Sequence, residues 1–274
     1  MPATLAPVCP DDLAELDQVL DGLCCRECRR HFSSNDGIPD LLPRSSYEHS
    51  TDEKTQLDNY QASFSSRSER TWYRPLRLTI NMLGNQFLYT WARRTLGRVL
   101  AIWPASVLDA ACGDGILRRY LSKQCLYTGI DFSQRMLRRA QRYHPSTYYR
   151  ADLTHLPFAS ATFDAVVSIQ TLQYLQRPDV ALAEIARTLK PSGTALISVP
   201  NYQCFKYRWL GLPQIELQRF DRERIMLLMS KNFDLQKLET QGFWIPVPRI
   251  PIHIPGVYSP ARGLAWTIVA CVRK

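Results

Sequence analysis

The 274-residue sequence predicts an α/β protein built on an open sheet, and three observations carry that expectation. Residues 106–110 form a short β-branched and aliphatic run that turns abruptly into Ala111, Cys112, Gly113, Asp114 and Gly115. Ile116, Leu117, Tyr120 and Leu121 then recur at helical spacing, with Arg118 and Arg119 directed away from them. Residues 126–131 read as a second buried strand ending in Asp131, and comparable runs recur at 148–153, 162–170 and 195–200.

A strand, a tight glycine turn and a helix start form the kind of site where backbone N–H groups approach a ligand closely. A larger residue at Gly113 or Gly115 would fill space meant for that ligand. An ordinary strand-to-helix turn would use the same residue types, so the turn alone does not decide between them. Asp131 narrows the choice. It lies 22 residues after Asp109, close to the roughly 20-residue offset at which a ribose-binding carboxylate follows the first glycine turn of a Rossmann-type fold.

The motifs DAACGDG, GIDFS, ADLTHLPF, FDAVVSIQTLQYL and LKPSGTALIS, in that order, resemble class I S-adenosylmethionine-dependent methyltransferases, in the subgroup that includes the quinone methyltransferases. The resemblance covers roughly residues 57–274 and implies a Rossmann-like, seven-stranded methyltransferase sheet with S-adenosylmethionine as cofactor. It places Asp109, Ala110, Ala111, Gly113 and Gly115 in the cofactor turn and Asp131 on the ribose. Phe132 and Met136 flank the adenine, Asp152 and the Leu153 N–H meet its polar edge, and Gln170 lies near the methionine end. Tyr60 resembles the tyrosine that covers that end. Ala111 stands where glycine is commonest, so strain is expected there rather than lost binding. The resemblance also implies that 233–238 and 264–272 close the sheet as a hairpin.

Composition sets the outer bounds. A hydrophobic fraction of 45% and a charged fraction of 22% suit a globular protein. No apolar run is long enough to span a membrane, and the first residues lack a secretory pattern, so a cytoplasmic protein is expected. The formal charge of +9 admits a nucleic acid or an anionic surface as partner. Much of it sits as Arg pairs on expected helix faces, the pattern of solvated surface, and no long basic run is present. The eight cysteines are scattered, and reduced thiols are expected.

The first forty residues form a separate small unit. Cys9 precedes Asp12, and Cys25-x-x-Cys28 leads on to a GIPDLLP ending. This stretch resembles the small zinc-ribbon-like domain of the Trm112 kind, with Asp12 where a complete first knuckle would carry cysteine. Two readings stay open. Zinc could be held by Cys9, Asp12, Cys25 and Cys28, since a carboxylate is an acceptable ligand. Alternatively the metal is lost and Leu13, Leu16, Leu20, Phe32 and Ile38 hold the unit as an apolar cluster. A redox role for Cys25 and Cys28 lacks the surrounding βαβ pattern.

The expected organisation is therefore a ribbon at 1–43, a linker with N-terminal helices at 44–95, and the methyltransferase domain at 96–274. Residues 74–101 read as helix with Gly97 as a stop, and 179–190 as an amphipathic helix. Two segments, at 201–209 and 244–262, read as loops rich in aromatics and prolines. They nominate Tyr202, Trp209, Trp244 and His253, with Tyr174 or Gln173, as contacts for a small, hydrophobic or aromatic methyl acceptor. RNA is the alternative acceptor, and a non-catalytic partner-binding module a third reading. No residue is nominated as a catalytic base, and the oligomeric state is not legible.

Overall fold

In the computed structural model the described residues are 5–45, 88–98, 105–204, 217–245, 252–258 and 265–274. They form two sheets. The N-terminal sheet is a meander of β1 (Leu16–Val19), β2 (Gly22–Cys25), β3 (His31–Asn35) and β4 (Ile38–Pro39). The large sheet holds β5 (Ser106–Ala110), β6 (Leu126–Asp131), β7 (Thr147–Arg150), β8 (Phe163–Ile169), β9 (Leu189–Pro200), β10 (Asp234–Ile245), β11 (Ile252–Tyr258) and β12 (Ala265–Arg273). Its order is β11-β10-β12-β9-β8-β5-β6-β7.

Strands β5 to β9 are mutually parallel, whereas β12, β10 and β11 run antiparallel to their neighbours. The seven expected strands are present, and β11 adds an eighth at the edge, in a stretch read from the sequence as loop. Its Pro255 is tolerated because an edge strand can spare an N–H. The register slips between Gln241 and Phe243, opposite the segment that carries Pro255. Trp244 and His253, nominated as loop residues, are partners in this β10–β11 ladder.

Alternate residues of each parallel strand serve opposite faces of the sheet, as the strand period requires. Leu108, Ala110, Val166, Ala195 and Ile197 pack with Ala181, Leu182 and Ile185 of α3 (Pro178–Thr188) and with Ile225 and Met229 of α4 (Arg222–Met229). Val107, Ala165, Val167 and Leu196 pack on the other face with Leu137 and Ala140 of α2 (Gln134–Tyr143) and with Ala92 and Leu96 of the helical stretch 88–98, α1. Helix α1 runs through Gly97 rather than stopping there. Helix α3 ends at Thr188 because Leu189 is already strand, paired with Phe163.

The turn after β5 leads into a 3-10 segment, Ile116–Tyr120, and not the expected α-helix. Arg118 lies 5.9 Å over the Tyr127 ring instead of pointing clear of the protein. Asp164, in the FDAVV motif, is structural: it accepts bonds from the Ser106 N–H and hydroxyl at 2.8 and 2.7 Å and pairs with Lys190.

The small sheet docks on the β7 edge of the large one. Asp40 forms a parallel bridge with Arg150, and the Leu41 N–H donates to the Arg150 carbonyl at 2.7 Å. The Val8 N–H donates to the Pro157 carbonyl. Cys9, Leu23, Cys25, Phe32 and Leu41 share one buried cluster with Tyr149, Leu153 and Phe158, so the ribbon is not an independent bead on the chain.

Candidate functional site

In an open parallel sheet, ligands bind beyond the carboxyl ends of the strands where the strand order reverses. Here the reversal falls at β5, with β6 on one side and β8 on the other. Asp109 and Ala110 end β5 and Asp131 ends β6, while Asp152 lies just past β7 and Gln170 just past β8. The expected cofactor residues after Tyr60 therefore gather along one edge. Tyr60 and Trp209 lie outside the described residues.

The glycine turn takes the left-handed backbone that its composition predicts, with strain confined to Ala111. Ala111, Gly113 and Gly115 all have positive φ, at 67°, 56° and 72°. A Cβ at Gly115 would lie 2.6 Å from the Tyr148 hydroxyl and 2.9 Å from the Ala140 side chain. Gly115 is thus needed for close packing against β7 and α2, not to leave room for a ligand as the sequence suggested. At Gly113 only Met136 lies within reach, at 3.6 Å, so that position faces more open space.

Asp131 joins the turn to the next strand. One carboxylate oxygen accepts the Gly113 N–H at 2.8 Å and the other the Ser133 N–H at 2.9 Å. A carboxylate offers about four lone-pair sites, so two acceptor positions remain on it. Burial raises the Asp131 carboxyl above its usual range, opposed by those two N–H groups. Asp109 is deeper: it is buried and receives the Tyr127 hydroxyl at 2.7 Å. Burial pushes its carboxyl up to about 7, against the Tyr127 bond and with help from the fields of Asp131 and Asp114. A buried carboxylate and a half-buried one that share a field favour a ligand bearing positive charge.

Beside Asp131, Ser133 caps α2 by accepting the Met136 N–H, which fixes the start of the helix that carries Met136, directly after Phe132. Asp152 accepts the Thr154 N–H and hydroxyl, and Leu153 is buried. Gln170 has φ 56°, and its backbone N–H and side-chain amide both donate to the Ser198 hydroxyl. The amide of Gln173 donates to the Gln170 carbonyl, while its buried Oε1 has no partner among the described residues. Tyr174 and Tyr202 are half-buried on neighbouring segments, and the Tyr202 N–H donates to the Phe220 carbonyl. Sequence reasoning missed Tyr127 and Ser198, which fix Asp109 and Gln170. Neither carries a local signal, because each acts across the sheet.

In the N-terminal sheet, one ligand atom each from Cys9, Asp12, Cys25 and Cys28 lie within 4.8 Å of one another. The Cys9 and Cys28 sulfurs are 3.8 Å apart, and the Cys25 sulfur lies 3.5 Å from Asp12 oxygens. A tetrahedral zinc with bonds of about 2.3 Å to sulfur and about 2.0 Å to oxygen has edges of roughly 3.8 Å between sulfurs and 3.5 Å between sulfur and oxygen. The four side chains fit that group. Burial pushes the Cys9 thiol up, while the Ala14 N–H and neighbouring thiols hold the Asp12 carboxyl at about 2. Without a cation, burial keeps Cys9 and Cys28 as neutral thiols; a bound cation would deprotonate them. Of the alternative apolar cluster, Leu20 is fully exposed and Leu13 is 45% exposed, whereas Phe32 and Ile38 are buried and Leu16 packs against the core.

Residues 108–197 match the model of the methyltransferase domain family. The chain carries a methyltransferase domain. Its relatives include the malonyl-[acyl-carrier protein] O-methyltransferase of Enterobacter lignolyticus, 37% identical over 37% of this chain and 43% of that protein. The demethylmenaquinone methyltransferase of Renibacterium salmoninarum is 34% identical over 42% of this chain and 49% of that one. The chain thus spans about half the length of these relatives. Among solved structures, a complex of the Haloferax volcanii Trm112 methyltransferase activator with a methyltransferase shares the fold, with a TM-score of 0.53 and 20% identity, covering 71% of this chain and 93% of that one. Among the described residues no helix is long and apolar enough to cross a membrane.

Proposed function

We propose that the protein transfers a methyl group from S-adenosylmethionine to a small, hydrophobic or aromatic acceptor, with a structural zinc in its N-terminal sheet. The observation that carries the cofactor assignment is Asp131: after accepting the Gly113 and Ser133 N–H groups it has two acceptor positions left, the number that a ribose diol requires. The field of Asp109 and Asp131 suits a ligand with a sulfonium and an ammonium group. The cofactor supplies an electrophilic methyl group when bound. The protein orients it: Phe132 and Met136 flank the adenine, Asp152 and Leu153 meet its polar edge, and Gln170, held by Ser198, faces the methionine end. Methyl transfer needs alignment and exclusion of water rather than an enzyme nucleophile, so Cys112 is a small side chain in the turn and nothing more.

Tyr174, Tyr202, Trp209, Trp244 and His253 are the proposed acceptor contacts, and the unpartnered Gln173 Oε1 suits a donor on that molecule. Of the relatives' printed names, demethylmenaquinone methyltransferase supports an acceptor of this class, whereas malonyl-[acyl-carrier protein] O-methyltransferase names an acyl group on a carrier protein. Calorimetry with S-adenosylhomocysteine tests the cofactor. Labelled methyl transfer to an organic extract of cells tests the acceptor. Label appearing instead in RNA, in a salt-sensitive way, would favour the RNA reading that the +9 charge allows.

A further inference from the structure

Arg150, at the end of β7, stands between the ribbon and the cofactor edge. Its Nε donates to the Phe132 carbonyl at 2.9 Å, and its guanidinium lies 5.6 Å over the Phe132 ring. On the other side it donates to Asp40 at 2.7 Å. Both charged side chains are largely enclosed, at 18% and 10% exposure, so each would be costly to leave alone. Asp40 reaches this place because residues 40–41 pair with β7 as an added strand position.

The segment that Arg150 holds is short and tightly specified. The Asp131 carbonyl accepts the Ala151 N–H, the Phe132 carbonyl accepts Arg150, and the Ser133 N–H donates to Asp131. Phe132 therefore has its main chain anchored by a side chain that is itself anchored by the ribbon. A planar guanidinium with a fixed fork can hold two partners at once only when both are in place. Remove the carboxylate, and the guanidinium gains by turning toward water.

We propose that Asp40 is a positioning residue for the cofactor site: the ribbon's carboxylate aims Arg150, and Arg150 sets Phe132 against the adenine. The ribbon then tunes cofactor affinity through one charged contact, in addition to covering the β7 edge. The knuckle that carries the zinc ligands is connected to the same strand. Asp11 accepts bonds from Arg30 and from the Arg44 N–H, and Arg30 donates to the Leu42 carbonyl.

This proposal rests on the cofactor reading above, and one set of titrations separates the two. The full chain is titrated by calorimetry with S-adenosylhomocysteine and with 5′-methylthioadenosine, which keeps the adenosine half and lacks the amino-acid half. Failure of the parent protein to bind either ligand overturns the cofactor reading and this proposal with it. With a parent that binds, Asp40→Asn is expected to weaken both ligands by about tenfold. Asp40→Glu is expected to recover most of the loss, which a merely structural role does not require. Arg150→Met should show the same loss, and the double variant no more than either single. Asp40→Asn that binds within twofold of the parent overturns the proposal while leaving the cofactor reading intact. So does an equal further loss when Asp40→Asn is added to Arg150→Met. Unfolding midpoints of the ligand-free variants are measured alongside, and Arg150→Lys serves if Arg150→Met does not fold.

Discussion

Replacing Asp109 by asparagine should make the ligand-free protein more stable at neutral and alkaline pH. Asp109 is 4% exposed, and its folded carboxyl titrates at about 7 rather than 3.8 because burial disfavours the charge. Below about pH 4 the group is protonated in both states and costs nothing. Between about pH 4 and 7 the folded state holds a proton that the unfolded chain has released, so stability falls as pH rises through that window. About three pH units at about 1.4 kcal/mol each amount to a loss of about 4 kcal/mol by pH 8. Asparagine keeps an acceptor for the Tyr127 hydroxyl and does not titrate. Urea unfolding from pH 3 to 8.5 should give coinciding stabilities at the acid end and a variant ahead by a few kcal/mol at pH 8. A residual slope from Asp131 stays in both proteins. The parent should also bind S-adenosylmethionine more tightly as pH rises through 7, since the carboxylate then faces a cationic ligand, and the variant should lose that dependence. Parallel stability curves for the two proteins would refute the reasoning.

Three further outcomes are expected. Asp131→Ala removes the proposed ribose acceptor and should weaken S-adenosylhomocysteine by at least about a hundredfold, from two bonds of about 1.5 kcal/mol or more each; equal affinity by calorimetry sinks that assignment. Purified protein should contain one zinc per chain by elemental analysis, lost in Cys25→Ser, and chelation should lower both the unfolding midpoint and S-adenosylhomocysteine affinity; metal-free protein with unchanged stability argues against the site. Ala111→Gly relieves a left-handed alanine at φ 67° and should stabilise the protein by about 1 kcal/mol in urea unfolding, whereas a loss of stability would show that the turn is not strained at that residue.

The parallel strands β5, β6 and β8 were legible in the chain because each is rich in aliphatic residues with an acid or amide at or just past its end, and period and turn chemistry are local properties. The same locality brought Cys9, Asp12, Cys25 and Cys28 together on paper, since a ligand set from two tight turns is written in short spacings. Other features depended on partners far away in sequence. Residues 252–258 became strand β11 only because β10 offered a free edge, and their proline and glycine content concealed it. The helical spacing after Gly115 produced only a 3-10 segment. Gly115 proved necessary because Tyr148, 33 positions later, presses against it. Asp40 and Arg150 stand 110 residues apart, yet meet at 2.7 Å. A sequence announces which side chains can carry charge or bury surface, but which ones meet is set by packing the ribbon against the β7 edge, because desolvation and charge pairing act through space and not along the chain.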